Sequence, residues 1–278
     1  MSAAANIDDE IFPPWGFRWG DADVHFAFQP VFQGNDVAYF EMLVRPRRYG
    51  VLIPADKFIA AIEQHNQTID FDTQVLRHAI GMLAAHSDVA IGINVSGATA
   101  SCPKARRSIL SILNWQSPSV ARRLVVEITE TYPISDRLEA YYLADSLKHN
   151  GCRVALDDFG ADGRGKHLTQ ELVTALSPTI LKLDRDMLAG LLSDERKQTK
   201  LREIFAFCQA NRITPVVEGI EDSDIADWVT EACPNAWQQG YYWGMPVLDM
   251  PDIKPLSPER PTTLTGPQQV RLSQHIQQ

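Results

Sequence analysis

Short apolar runs recur along the chain: HFAFQPVF, VAYFEMLVRP, VAIGINVS, RLVVEITE, CRVALDD, TILKLD, TPVVEGI and WQQGYYWG. Most are rich in β-branched or aromatic residues and have the length of strands. Several are continuous rather than alternating, the pattern of strands buried on both faces. Helical spacing lies between many of them. DFDTQVLRHAIGML sets Phe71, Val75, Leu76, Ala79, Ile80 and Leu83 three and four apart, which makes one apolar face. SDRLEAYYLADSLKHNG reads as a second helix, with Ser135 or Asp136 as N-cap and Gly151 as its stop. KQTKLREIFAFCQANR reads as a third.

Alternating strands and helices predict an α/β fold with a mainly parallel sheet, and eight runs predict a (β/α)8-type TIM-like barrel. The first two runs modify it. Only Gln33 to Asp36 separates them, too short a link for a parallel crossover, so they should form an antiparallel hairpin. Pro13, Pro14 and Gly16 mark residues 1–20 as an irregular lead-in, and the prolines after Pro251 mark 251–278 as an extended tail. Residues 21–250 are then one barrel domain.

The balance of 26 basic against 35 acidic residues argues against DNA or RNA as a polymer partner. The four cysteines form no CxxC pair and fit scattered thiols in a reducing compartment. No signal peptide pattern opens the sequence and no apolar run is long enough for a membrane span, so the expected setting is the cytoplasm.

Polar residues collect at particular places in the runs. Asn94, Glu127, Asp157, Asp158 and Glu218 end theirs, Lys182 lies within ILKLD, and Gln239 opens the last run. In a barrel the C-terminal strand ends converge on one mouth, where active sites lie. Glu41 joins them if its strand runs the opposite way. Carboxylates crowded this closely call for compensating cations, and hard oxygen ligands suit two divalent ions, Mg²⁺ or Mn²⁺. A neighbouring pair such as Asp157 and Asp158 lets one carboxylate bridge two metals, a device of phosphoryl chemistry. Singly, each has a plainer reading: the two aspartates as a helix cap, Lys182 as a surface lysine. His25, His78 and His167 form no metal-binding spacing and read as structural or exposed.

These residues sit in motifs that resemble the EAL-domain phosphodiesterases of cyclic di-GMP. Glu41-Met42-Leu43-Val44-Arg45 stands for the signature, with Met for the usual Ala. FQPV precedes it, and INVS, VEITE, LDDFG, LKLD, VEGIE and QGYYWGMP follow it, in the family's order over about residues 25 to 250. The resemblance implies the modified barrel with one antiparallel strand and hydrolysis of cyclic di-GMP to linear pGpG. It implies that Glu41, Asn94, Glu127 and Asp157 hold a first metal. Asp157, Asp158 and Glu218 would serve a second metal or its water. Lys182 would orient or deprotonate that water, Gln239 would hold the water network, and Arg45 would contact a substrate phosphate. Gln29 would contact the ligand or shape its pocket. A homodimer is also implied. The sequence departs from the family after Gly160, where ADGRGKH replaces the usual Gly-Tyr-Ser-Ser-Leu loop; Arg164 and Lys166 there read as basic groups near a phosphate or in solvent. The alternative is therefore a barrel that binds cyclic di-GMP, or a protein partner, without turnover.

Overall fold

The hairpin forms as the short link requires. In the computed structural model, which describes residues 18–129, 134–160 and 169–248, β1 (Asp23–Gln33) and β2 (Asp36–Arg48) pair antiparallel from Asp23↔Arg47 to Gln33↔Asp36. Gly34, at φ +61°, makes the turn. The remaining strands are β3 (Val51–Leu52), β4 (Ile91–Ser96), β5 (Leu124–Thr129), β6 (Arg153–Phe159), β7 (Ile180–Leu183), β8 (Thr214–Val217) and β9 (Trp237–Gln238). Their order is β1-β9-β8-β7-β6-β5-β4-β2, closed by the β1–β2 pairing, with β3 added to β2. The tail at 251–278, the glycine loop with Arg164, Lys166 and His167, and all but the last residues of the lead-in lie outside the described residues.

Two expectations are corrected. The reversed strand is β1, while β2, which carries Glu41, runs parallel to β4 in the register Glu41↔Gly92. A short link demands one reversed strand but does not say which. Contact with the parallel strands decides it. The last run, WQQGYYWG, is a strand only at Trp237–Gln238. There Gly240 presses so close to the segment that follows β8 that a Cβ would stand 2.1 Å from the Ile220 carbonyl oxygen. The following aromatics pack sideways instead, with Trp243 stacked on Phe32 at 5.0 Å.

The helices Thr68–Ala85, Arg137–His149 and Glu195–Asn211 form where the spacing predicted. Asp136 is the N-cap of the second and accepts from the amides of Leu138 and Glu139, a contact worth about 1 kcal/mol. Gly151 follows that helix at φ +92°. Strand side chains alternate between two cores. Ile91, Ile93, Leu124, Val126, Val154, Leu156 and Leu181 face the helices. Val31, Tyr39, Val125, Ala155, Ile180 and Val216 fill the barrel interior with Trp237 against them.

The interior follows one rule. Two residues beyond each floor residue stands a polar one: Tyr39 and Glu41, Gly92 and Asn94, Val125 and Glu127, Ala155 and Asp157, Ile180 and Lys182, Val216 and Glu218, Trp237 and Gln239. In β1 the order is inverted, Gln29 before Val31, as its opposite direction requires. Period-two alternation thus puts an apolar layer beneath a polar one.

Candidate active site

The polar layer brings together most of the side chains singled out in the sequence. Glu41, Glu127, Asp157, Lys182 and Gln239 are all buried, and Asn94, Asp158 and Glu218 are half-buried beside them. Adjacent residues of a regular strand face opposite ways, so Asp157 and Asp158 could not both point inward without a break. The break is present. Leu156 pairs with Leu181 but Phe159 with Leu183, leaving one extra residue in β6, and Asp158 takes φ +61°. This bulge turns both carboxylates toward the cluster and returns Phe159 to the outer core. It is the structural meaning of the paired aspartates.

Lys182 stands at the centre. Its Nζ lies 2.6 Å from Glu127 Oε2, 2.8 Å from Glu218 Oε1, 3.1 Å from Asp157 Oδ1 and 3.2 Å from Glu41 Oε2. Glu41 is held further by Asn94 Nδ2, which donates to its Oε1 at 2.9 Å, and by Gln239 Nε2, which donates to its Oε2 at 2.7 Å. Gln239 Nε2 also reaches Gln29 Oε1 at 3.4 Å, and Gln29 Nε2 donates to the Gly244 carbonyl at 3.3 Å.

One ammonium does not neutralise this many carboxylates. Burial pushes Glu127 up to about 8 against the pull of Lys182. Burial, then the adjacent Asp157, lifts Asp158 to about 7. Burial raises Asp157 as well, and lifts Glu218 well above the carboxylate range. It would raise Glu41 too, but Lys182 and the amides of Gln239 and Asn94 outweigh it and hold that group low. For Lys182 burial alone would lower the value; Asp157, Glu127, Glu218 and Glu41 reverse this and keep it well above normal. The cluster is starved of positive charge.

The donor set fits divalent cations. Glu41, Glu127 and Asp157 each offer an oxygen within 4.8 Å of the others, and so do Asp157, Asp158 and Glu218, so Asp157 is common to both groups. Asn94 donates through its nitrogen and leaves Oδ1 buried without a hydrogen-bond partner among the described residues; Gln239 does the same with Oε1. Glu127 Oε2 meets Lys182 only as an ion pair. Buried oxygens of this kind are ligands in search of a cation. Nitrogen and sulfur donors are absent from both groups, which favours a hard ion.

Two clefts flank the cluster. One, of about 260 Å³, runs from Asn94, Asp157 and Asp158 past Arg45 to Phe71 and Asp72. The other, of about 220 Å³, joins Gln29, Glu41, Glu218 and Gln239 to Asp184, Arg185 and Tyr241. Arg45 therefore lines the mouth, where its Nη1 donates to the Val44 carbonyl at 2.9 Å, and Gln29 lines the opposite side. Sequence reasoning missed Asp184, Arg185 and Asp72. Asp184 could have been found, since it directly follows the β7 run; Asp72 could not, because it sits within an amphipathic helix.

A family model described as EAL domain matches residues 20–246. Over 122 residues the chain is 34% identical to the cyclic di-GMP phosphodiesterase TpdA of Vibrio parahaemolyticus, a stretch covering 44% of this chain and 20% of that protein. Matches span from 20% to 64% of the first curated relatives, which are longer. Among solved structures, an EAL domain protein from Listeria monocytogenes superposes with a TM-score of 0.72 at 23% identity, covering 81% of this chain and 89% of that one. The FimX EAL domain of Xanthomonas citri in complex with c-diGMP gives 0.69 at 21% identity, covering 84% and 91%. At these identities the two structures bear on the fold.

Proposed function

The chain belongs to the EAL-domain family, whose model spans most of its length, and on that premise we propose that it is a phosphodiesterase that opens one ester of cyclic di-GMP to give linear pGpG, using two Mg²⁺ or Mn²⁺ ions. One observation carries the reading: two groups of convergent carboxylates share Asp157. Glu41, Asn94, Glu127 and Asp157 would hold the first ion, and Asp157, Asp158 and Glu218 the second. Bound there, the ions would lower the pKa of a water nucleophile and draw charge from the phosphoryl oxygens.

The chain's own residues do the rest. Lys182 is an ammonium in this surrounding, so it holds the carboxylates together and orients a water by donation. It acts as a base only once their charge is taken up elsewhere. Gln239 keeps Glu41 in place and offers its free oxygen to a water. Arg45, at the mouth, presents a fork suited to a phosphate, and Gln29 bounds the opposite cleft. An acidic protein can accept a dianion here because the ions reverse the local sign. The working unit is the barrel of residues 21–250, and a homodimer is part of the proposal. Among the described residues no helix is long and apolar enough to cross a membrane.

The second reading, a receptor without turnover, is favoured by the replacement of the usual loop by ADGRGKH after Gly160. Purified protein incubated with cyclic di-GMP and Mg²⁺ or Mn²⁺, followed by nucleotide separation, tests both. Formation of pGpG that Glu41→Gln abolishes supports the phosphodiesterase. Binding by calorimetry without product supports the receptor. Neither binding nor product defeats both.

A further inference from the structure

In the barrel floor beneath the cluster Tyr39 lies among Val31, Val125, Ala155, Ile180 and Val216 and is 1% exposed. It occupies the same inward row of β2 as Glu41, one layer lower. Gly92 makes room for it. A Cβ there would stand 2.6 Å from Tyr39 Cε2 and 2.4 Å from Glu127 Oε1, so the tyrosine ring and that carboxylate oxygen converge over the missing side chain. Burial and then the nearby Glu127 carboxylate raise the Tyr39 hydroxyl, and among the described residues neither it nor Oε1 has a hydrogen-bond partner. An orphaned buried donor thus faces an orphaned buried acceptor. Arg153 packs its guanidinium over the ring at 5.6 Å, and Trp237 flanks it at 6.2 Å, which limits where the hydroxyl can go.

We infer that Tyr39 is a positioning residue for Glu127: its hydroxyl donates upward to Oε1 and leaves Oε2, the oxygen facing Lys182, for a cation. The inference rests on the metal reading above and adds a residue below the ligands. Phenylalanine would fill the floor equally well; only the hydroxyl can fix the carboxylate. Partners that orient a ligating carboxylate are worth about 10- to 100-fold in metal affinity.

The test is Mn²⁺ titration of the purified chain by calorimetry, for the wild type, Tyr39→Phe and Gly92→Ala. Tyr39→Phe should bind Mn²⁺ about 10- to 100-fold more weakly while its near-ultraviolet circular dichroism is unchanged. Gly92→Ala, which leaves Tyr39 in place but crowds Oε1, should also bind weakly. Affinity of Tyr39→Phe within about twofold of wild type overturns the inference. A double-mutant cycle of Tyr39→Phe with Glu127→Met, read from unfolding equilibria in metal-free buffer, separates this from failure of the metal reading. Should the wild type bind no Mn²⁺, the metal reading falls and the cycle decides: non-additive effects uphold the contact, and additive ones overturn it.

Discussion

Lys182 and Glu127 meet at 2.6 Å, and neither side chain is more than 1% exposed. The pair belongs to a knot in which three more carboxylates crowd the same ammonium. Removing that ammonium leaves buried acids facing one another. Lys182→Met should therefore cost about 3–5 kcal/mol in metal-free buffer above pH 8, where Glu127 is ionised. Added Mn²⁺ should restore part of the loss, because the ion takes over the compensation. Urea denaturation with and without Mn²⁺ measures both. A variant as stable as wild type without metal would mean that the acids are already protonated.

Asp158 combines a left-handed backbone with a charge, and the two roles separate by substitution. Asn tolerates φ near +61° and removes the charge, so Asp158→Asn should be at least as stable as wild type above neutral pH yet bind Mn²⁺ more weakly. Asp158→Val carries the backbone conflict as well and should lose about 1–2 kcal/mol relative to Asn. Thermal denaturation and calorimetric titration of the two variants give the comparison.

Asp72 gives the pH dependence. Its carboxylate is buried under the first cleft and accepts from the Ser96 amide at 3.0 Å and the Thr99 hydroxyl at 2.6 Å. Burial outweighs these bonds and raises it to about 6 from 3.8. The folded state therefore holds the proton more tightly than the unfolded one. Its stabilising contribution is full below 3.8 and is lost as pH rises through 6, a loss of roughly 3 kcal/mol at most. Asp72→Asn should flatten that part of the profile. Urea midpoints of both proteins across this window test the sign. A wild type that gains stability there relative to Asp72→Asn contradicts it.

Two glycines with similar backbone angles should respond differently to alanine. Gly34, at φ +61°, has nothing within 4 Å of its missing Cβ, so Gly34→Ala meets only the backbone cost of about 1 kcal/mol. Gly219, at φ +71°, would set a Cβ 2.2 Å from Arg185 Cβ, which adds about 1–3 kcal/mol of overpacking. It also displaces the neighbouring Glu218. Chemical denaturation of the two variants should show the difference.

The site was legible in sequence because its residues mark the ends of apolar runs. Asn94, Glu127, Asp157 and Glu218 stand where parallel strands open onto one mouth, and strand ends are a local signal. The direction of β2 was not legible, since a tight turn reverses the chain without fixing which strand agrees with the rest. Nor was the length of β9: its aromatic run resembles a strand, and only the approach of Gly240 to Ile220 ends it. The bulge at Asp158 depends on registry with β7, which no single run encodes. The layering of floor and ligands is written as an apolar residue followed two places later by a polar one. That signal becomes readable once the strands are known to close.

The reversal of β1 has a consequence for the entrance. In a regular barrel of this class the first strand starts at the face remote from the ligand. Here Asp23 is level with Arg47, so the chain arrives at the mouth. Just before it, the Trp19 indole donates to Asp70 and the Trp19 amide to Gln67, where the helix bearing Phe71 and Asp72 begins. Trp19 thus ties the entry of β1 to the start of the helix that forms one wall of the first cleft.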